Sequence, residues 1–178
     1  EKVNWQCDIK TLFRDVNLGC RKAVSSSIDW FFSQEEEGII LEDDTLPDPS
    51  FFLFCSELLN KYRTDERIGM ISGDNFGFGY RRNSNSYFFT RYTHVWGWAT
   101  WKRVWQGYSV DMNDYKRFRN EGWLRDVFSE DREYNFWKSV FDKVYSLMNA
   151  HVDDGTEPLE VALYIEKLLE KKSWKAHY

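Results

Sequence analysis

Apolar and polar positions follow two rhythms along this chain, and the switches between them mark its elements. Cys7 to Phe13 alternates loosely and carries β-favouring residues, which predicts a short strand ending near Phe13. Arg14 to Gly19 breaks the pattern, with Asn17 and Gly19 supplying turn chemistry. From Cys20 to Phe32 the residues Ala23, Ile28, Phe31 and Phe32 can share one side of a helix. Gly38-Ile39-Ile40-Leu41 is then a continuous apolar run flanked by charge, the pattern of a strand buried on both faces of a parallel sheet. Glu42-Asp43-Asp44 stands at its carboxyl end.

Pro47 and Pro49 hold the next stretch extended, and Ser50 is the predicted N-cap of a helix in which Phe51, Phe54, Leu58, Leu59 and Tyr62 recur at helical spacing. Ile68 to Ile71 predicts another buried strand, leading into Ser72-Gly73-Asp74-Asn75. A loop containing Gly77 and Gly79 follows, then a predicted strand from Tyr87 to Thr90 and a tryptophan cluster from Trp96 to Trp105. Helices are predicted over Glu130 to Met148 and Glu157 to Lys172, the second opened by Thr156 and Pro158. Strands alternating with helices imply an α/β layered domain, with no internal repeat or low-complexity linker.

Length and composition narrow the classes. A chain of 178 residues can bury a core of ordinary size. Hydrophobic residues at 42% exclude a disordered tail, and no apolar run approaches the roughly 20 residues that span a bilayer. The net charge is −5 with basic residues scattered, which argues against bulk nucleic-acid binding. Cys7, Cys20 and Cys55 form no CxxC and cannot all pair, so reduced thiols in a cytoplasmic setting are expected, with or without peripheral attachment to an inner membrane. Trp, Tyr and Phe make up 19% of the chain, which supplies core and also platforms on which sugar rings stack. The opening at Glu1, without an initiator Met, reads as a fragment or a processed chain.

The stretch Ile39 to Pro49 carries the strongest chemical signal. Three adjacent carboxylates at a strand tip repel one another unless a cation or ordered donors compensate. Ligands of open α/β sheets bind at the carboxyl ends of strands, and hard oxygen donors in small number suit Mn²⁺ or Mg²⁺ shared with water and a diphosphate. An acidic surface turn before a helix is the plainer reading of the same residues. Arg14, Asn17 and Gly19 offer donors for a nucleotide, or form an ordinary αL turn beside a surface arginine. Asp74 and Asn75 border a sugar, or simply favour a turn. Around Gly97, one of the two rings Trp96 and Trp98 is expected to face a sugar while the remaining tryptophans pack. His94, His151 and His177 stand at no ligand-like spacing, so no zinc site is assigned.

Five phrases in order carry a family resemblance: RDVNLGC (Arg14 to Cys20), IILEDDTLPDPSFF (Ile39 to Phe52), ISGDN (Ile71 to Asn75), SYFFTRY (Ser86 to Tyr92) and WGWATWKRVW (Trp96 to Trp105). They resemble the bacterial nucleotide-diphospho-sugar transferase family, some members of which carry a haemolytic-protein label. That family lies within the GT-A glycosyltransferases. A more distant likeness runs to eukaryotic N-acetylglucosaminyltransferase I. The resemblance implies a GT-A, Rossmann-like sheet flanked by helices, with the first βα unit lacking, over residues 1–148. It stops near residue 149, so 149–178 is expected to be a divergent helical segment of the same domain.

The implied function is metal-assisted transfer of a sugar from a UDP- or GDP-linked donor to a glycan or lipid-linked acceptor, with inversion. Asp44 would be the metal ligand for Mn²⁺ or Mg²⁺, and Glu42 and Asp43 would bond ribose or donor-sugar hydroxyls. Arg14, Asn17 and Gly19 would approach the nucleotide, and Asp74, Asn75, Trp96, Gly97 and Trp98 the sugar or acceptor. The family's Trp-Asp-aromatic-Gln-Trp phrase, whose Asp is the implied base, is absent. Asp153 and Asp154 are the nearest substitutes, with Asp111 and Asp114 as alternatives. A non-catalytic or truncated GT-A-like carbohydrate-binding domain is the alternative reading.

Overall fold

A computed structural model describes residues 3, 5–74 and 84–150, with the side chains of 149 and 150 set aside. Asn75, Gly77, Gly79, Asp153, Asp154 and the helix expected over Glu157 to Lys172 lie outside the described residues. Six helices and three strands are described, a mixed α/β arrangement. The strands are β1 (Glu37–Ile40), β2 (Ile71–Ser72) and β3 (Trp98–Trp101), in the spatial order β1-β3-β2.

Both strand pairs are antiparallel, where the apolar run at 38–41 had predicted a parallel neighbour. Because β1 and β2 each oppose β3, they point the same way and flank it. The doubly buried strand is also not the expected one. All four residues of β3 are buried, whereas those of β1 are half-buried at the edge. The physical reason lies in the side chains of Trp98-Ala99-Thr100-Trp101. Large and small residues alternate across two faces, so helices can close on both sides. One face carries Ala99 and Trp101 against Phe51, Cys55, Leu58 and Leu59 of α2 (Pro49–Tyr62). The other carries Trp98 against Ile28 and Phe32 of α1 (Gly19–Phe32). The result is three layers, helix on sheet on helix.

Several local expectations differ from the structure. Residues 7–13 belong to no described strand, and Phe13 is 89% exposed. Lys10 of that segment pairs with Glu35 at 3.2 Å. Residues 87–90 likewise form no strand, because Tyr87 and Phe89 turn toward Tyr62 instead of toward a sheet neighbour. The strand expected over 68–71 shortens to Ile71–Ser72, since only those positions face β3. The cap of α2 is Asp48 and not Ser50: its Oδ1 accepts from the Ser50 N–H at 2.9 Å and from the Ser50 hydroxyl at 2.6 Å, with Pro49 in the first turn.

α2 ends without a glycine, and its orphan carbonyls are claimed from β3 and the short α3 (Lys102–Trp105). The Trp101 indole N–H donates to the Leu59 carbonyl at 3.2 Å. Arg103 spreads over the carbonyls of Tyr62 (3.1 Å), Arg63 (2.9 Å), Asp65 (3.2 Å) and Ile68 (3.1 Å), with its guanidinium 4.5 Å from the Trp101 ring centre. At the same end Arg63 grips Glu37 through two bonds of 2.8 and 2.6 Å. Beyond α3 lie α4 (Tyr115–Glu121), α5 (Trp123–Val127) and α6 (Asp131–Ala150). Gly122, at φ +83°, ends α4 in the left-handed conformation. Asp142 of α6 binds α4 through the Tyr115 hydroxyl at 2.9 Å and Arg119 at 2.6 Å.

Two predictions concern this end of the sheet. Arg103→Met keeps the stem but abandons the carbonyls, and is expected to cost about 2–4 kcal/mol in urea unfolding. The hydrogen bond from Arg63, reinforced by its charge, holds the Glu37 carboxyl below its ordinary value of 4.5 despite the opposing effect of burial. A lowered carboxyl contributes stability above its unfolded value and loses it as pH falls through the folded one. The stability gap between wild type and Glu37→Gln should therefore be constant above pH 4.5 and close below it. A gap that widens on acidification would contradict this pairing.

Candidate functional site

The antiparallel setting of β3 decides where the site residues meet. Ile40 of β1 and Ser72 of β2 both stand opposite Trp98. One step outward come Leu41, Gly97 and Gly73, and the Gly73 N–H donates to the Gly97 carbonyl at 2.9 Å, so the β2–β3 register continues past the strand ends. Beyond them Asp74 stays joined to Trp96, its Oδ2 accepting from the Trp96 N–H at 3.2 Å, while Glu42 follows Leu41 past the end of β1. The carboxyl ends of β1 and β2 and the amino end of β3 thus share one end of the sheet.

Glu42-Asp43-Asp44 form a tight turn there, closed by the Thr45 N–H on the Glu42 carbonyl at 3.1 Å. All three residues are exposed, and among the described residues none of their carboxylates forms a salt bridge. Five residues after Asp44, α2 begins at Pro49, and a helix amino terminus favours negative charge near it. Among the described residues no three His, Cys, Asp or Glu side chains converge as a ready ligand set. The donors nonetheless fit a hard divalent cation of the Mn²⁺ or Mg²⁺ kind. Such ions take one or two carboxylates from a protein and complete their shell with water and phosphate oxygens.

Phe51, in the first turn of α2, wedges this end together. A Cβ added to Gly73 would lie 2.6 Å from the Phe51 ring, and one added to Gly97 would meet both Leu41 and Phe51 at 3.5 Å. Gly97 also holds φ at +82°, where L side chains are strained. Sequence reading treated Phe51 only as one member of a helical stripe. The signal that marks it out is its position immediately after the carboxylate turn and its cap.

The other expected site residues fall as follows. Trp96 is 63% exposed whereas Trp98 is 8% exposed, packed with Ile28 and Phe32. Asp74 is half-buried, and its Oδ2 accepts from the Trp96 N–H at 3.2 Å. Arg14 reaches Ser26 of α1 at 3.0 Å, and Asn17 Oδ1 accepts from the N–H of Gly19, at φ +69°, at 2.8 Å. The hydrogen bonds described for that loop therefore organise the start of α1. Asp111 pairs with Arg21 at 3.2 Å and Asp114 with Arg117 at 3.2 Å, and neither contact involves the carboxylate turn. Two shallow cavities lie elsewhere. One of about 410 Å³ is lined by residues 85–89, and one of about 300 Å³ lies among Asp29, Lys102 and Tyr108. Neither hollow is lined by the carboxylate turn, Asp74 or Trp96.

Comparison with family models, with curated proteins and with solved structures found no match to the chain. Among the described residues no helix is long and apolar enough to cross a membrane.

The Phe51 wedge makes a specific prediction. Gly73→Ala is expected to cost about 1–3 kcal/mol in urea unfolding, because the new methyl overlaps the Phe51 ring. Combined with Phe51→Ala, it should cost less than the sum of the two single changes. Simple additivity would show that the ring and the glycine do not compete for space.

Proposed function

We propose that the chain is a GT-A-type glycosyltransferase, moving a sugar from a UDP- or GDP-linked donor to a glycan or lipid-linked acceptor with inversion. The observation that carries this reading is that β1 and β2, which lead into Glu42-Asp43-Asp44 and Asp74, end where β3, preceded by Trp96, begins, so that these residues belong to one end of the sheet. Asp44 is the residue that would hold Mn²⁺ or Mg²⁺, with Glu42 and Asp43 accepting from ribose or donor-sugar hydroxyls. The ion, when bound, supplies positive charge to the departing diphosphate. Trp96 would offer an indole face to the apolar side of a pyranose. Arg14 and the Asn17–Gly19 turn would approach the nucleotide. Asp153 or Asp154 would take the acceptor proton, with Asp111 and Asp114 as alternatives.

The exposure of the carboxylate turn and of Trp96 on an open surface favours one second reading, a carbohydrate-binding domain without catalysis. Thermal shift with UDP or GDP, with and without Mn²⁺, separates the two. At about 100 times Kd a ligand adds about 2.7 kcal/mol, a rise of roughly 5–10 °C for a domain of this size. The transferase reading expects that rise only with Mn²⁺ and its loss in Asp44→Ala, whose own unfolding temperature stays close to wild type because Asp44 is exposed. Glycan binding indifferent to metal and nucleotide would instead support the binding-domain reading. Equal shifts in wild type and Asp44→Ala would remove Asp44 from the site.

A further inference from the structure

Trp96 precedes a bend. Gly97 sits at φ +82° between it and the first residue of β3, so the strand ladder does not by itself fix the backbone of residue 96. Asp74 does. Its Oδ2 accepts from the Trp96 N–H at 3.2 Å and also from the Ser72 hydroxyl at 3.3 Å. The Ser72 oxygen in turn accepts from the Asp74 N–H at 3.2 Å, closing a serine turn that holds the carboxylate in place. Next to it, the Gly73 N–H bonds the Gly97 carbonyl at 2.9 Å. Residues 72–74 therefore clasp residues 96–97 where the regular sheet has stopped. A carboxylate oxygen already shared between two protein donors is committed to the fold, which separates Asp74 from the exposed acids of the neighbouring turn.

We infer that Asp74 is a positioning residue: through the backbone of Trp96 it sets the exposed indole at the end of the sheet into which the acidic turn also leads, as the platform for a sugar ring. The clasp stands on geometry alone, while the sugar as its ligand rests on the transferase reading above. Trp96 touches the sugar; Asp74 and Ser72 act through it. The arrangement assigns charge no part, since an amide oxygen accepts the same two bonds that the carboxylate does. Asp74→Asn should therefore behave unlike Asp74→Ala.

Fluorine NMR of fluorotryptophan-labelled full chain tests the clasp without any ligand. Of the nine tryptophan resonances, the one lost in Trp96→Phe is that of residue 96. It is expected to move or broaden in Asp74→Ala and in Ser72→Ala, and to stay in place in Asp74→Asn, with the buried Trp98 and Trp101 signals reporting an intact core. A Trp96 signal unmoved in Asp74→Ala, or displaced as far in Asp74→Asn, overturns the inference. With Mn²⁺ present, UDP-N-acetylglucosamine and UDP-glucose are then compared with UDP, and GDP-mannose with GDP. The extra affinity conferred by the sugar is expected to fall about tenfold in Asp74→Ala and in Trp96→Ala, and no further in the double variant. Additive losses would make Asp74 a direct ligand and overturn its positioning role. Wild type that binds none of these nucleotides overturns the transferase reading, and the assignment of a sugar to Trp96 with it, while the spectra still judge the clasp.

Discussion

The clamp of Trp101 and Arg103 on the carboxyl end of α2 is the interaction on which the described fold turns. A helix end without a glycine leaves carbonyls that must be paired, and here the donors come from about forty residues further along the chain. Satisfying them pins the carboxyl end of β3 against the end of α2. β3 must then run back between β1 and β2, antiparallel to both. Its amino end, carrying Trp96 and Gly97, has only one place to go, the end of the sheet where the carboxylate turn begins. A structural cap at one end thus helps to set which residues stand at the other.

The two ends of the sheet consequently carry different chemistry. At the clamped end, charges are spent on the protein itself: Arg63 on Glu37, Lys102 on Glu36, Arg103 on main-chain oxygens. At the open end, Glu42, Asp43 and Asp44 are exposed with no described ion pair. Leaving like charges together and unpaired opposes folding, and the cost is tolerable here because water solvates the turn and the start of α2 lies close by. Asp74 marks the boundary between the two regimes, an acid at the open end whose oxygen is already held by Ser72 and Trp96.

Legibility differed by element. The helical stripes that became α1, α2 and α6 were readable because each buries one face against a neighbour, and the 3.6-residue period records that burial directly. The strands were harder to read. Ile39 and Ile40 signalled a strand correctly, but composition could not show that it lies at an edge. The run Trp98 to Trp101 reads equally well as part of a helix with Trp105, and only pairing with both neighbours makes it the central strand. Segments 7–13 and 87–90 have β-favouring residues but no described sheet partner, and propensity without a partner does not make a strand.

By itself the sequence determined the acidic triplet at the tip of an apolar run, the helix that follows it, and Gly97 as a glycine that admits a close approach. These are local matters of side-chain size, charge and backbone freedom. Only the tertiary structure decided that Asp74 is bonded to residue 96, that Trp98 is core while Trp96 faces solvent, and that Phe51 fills the space Gly73 and Gly97 leave. Those facts depend on contacts between residues about twenty to seventy positions apart, and no short-range period records which of two tryptophans flanking a glycine will turn inward.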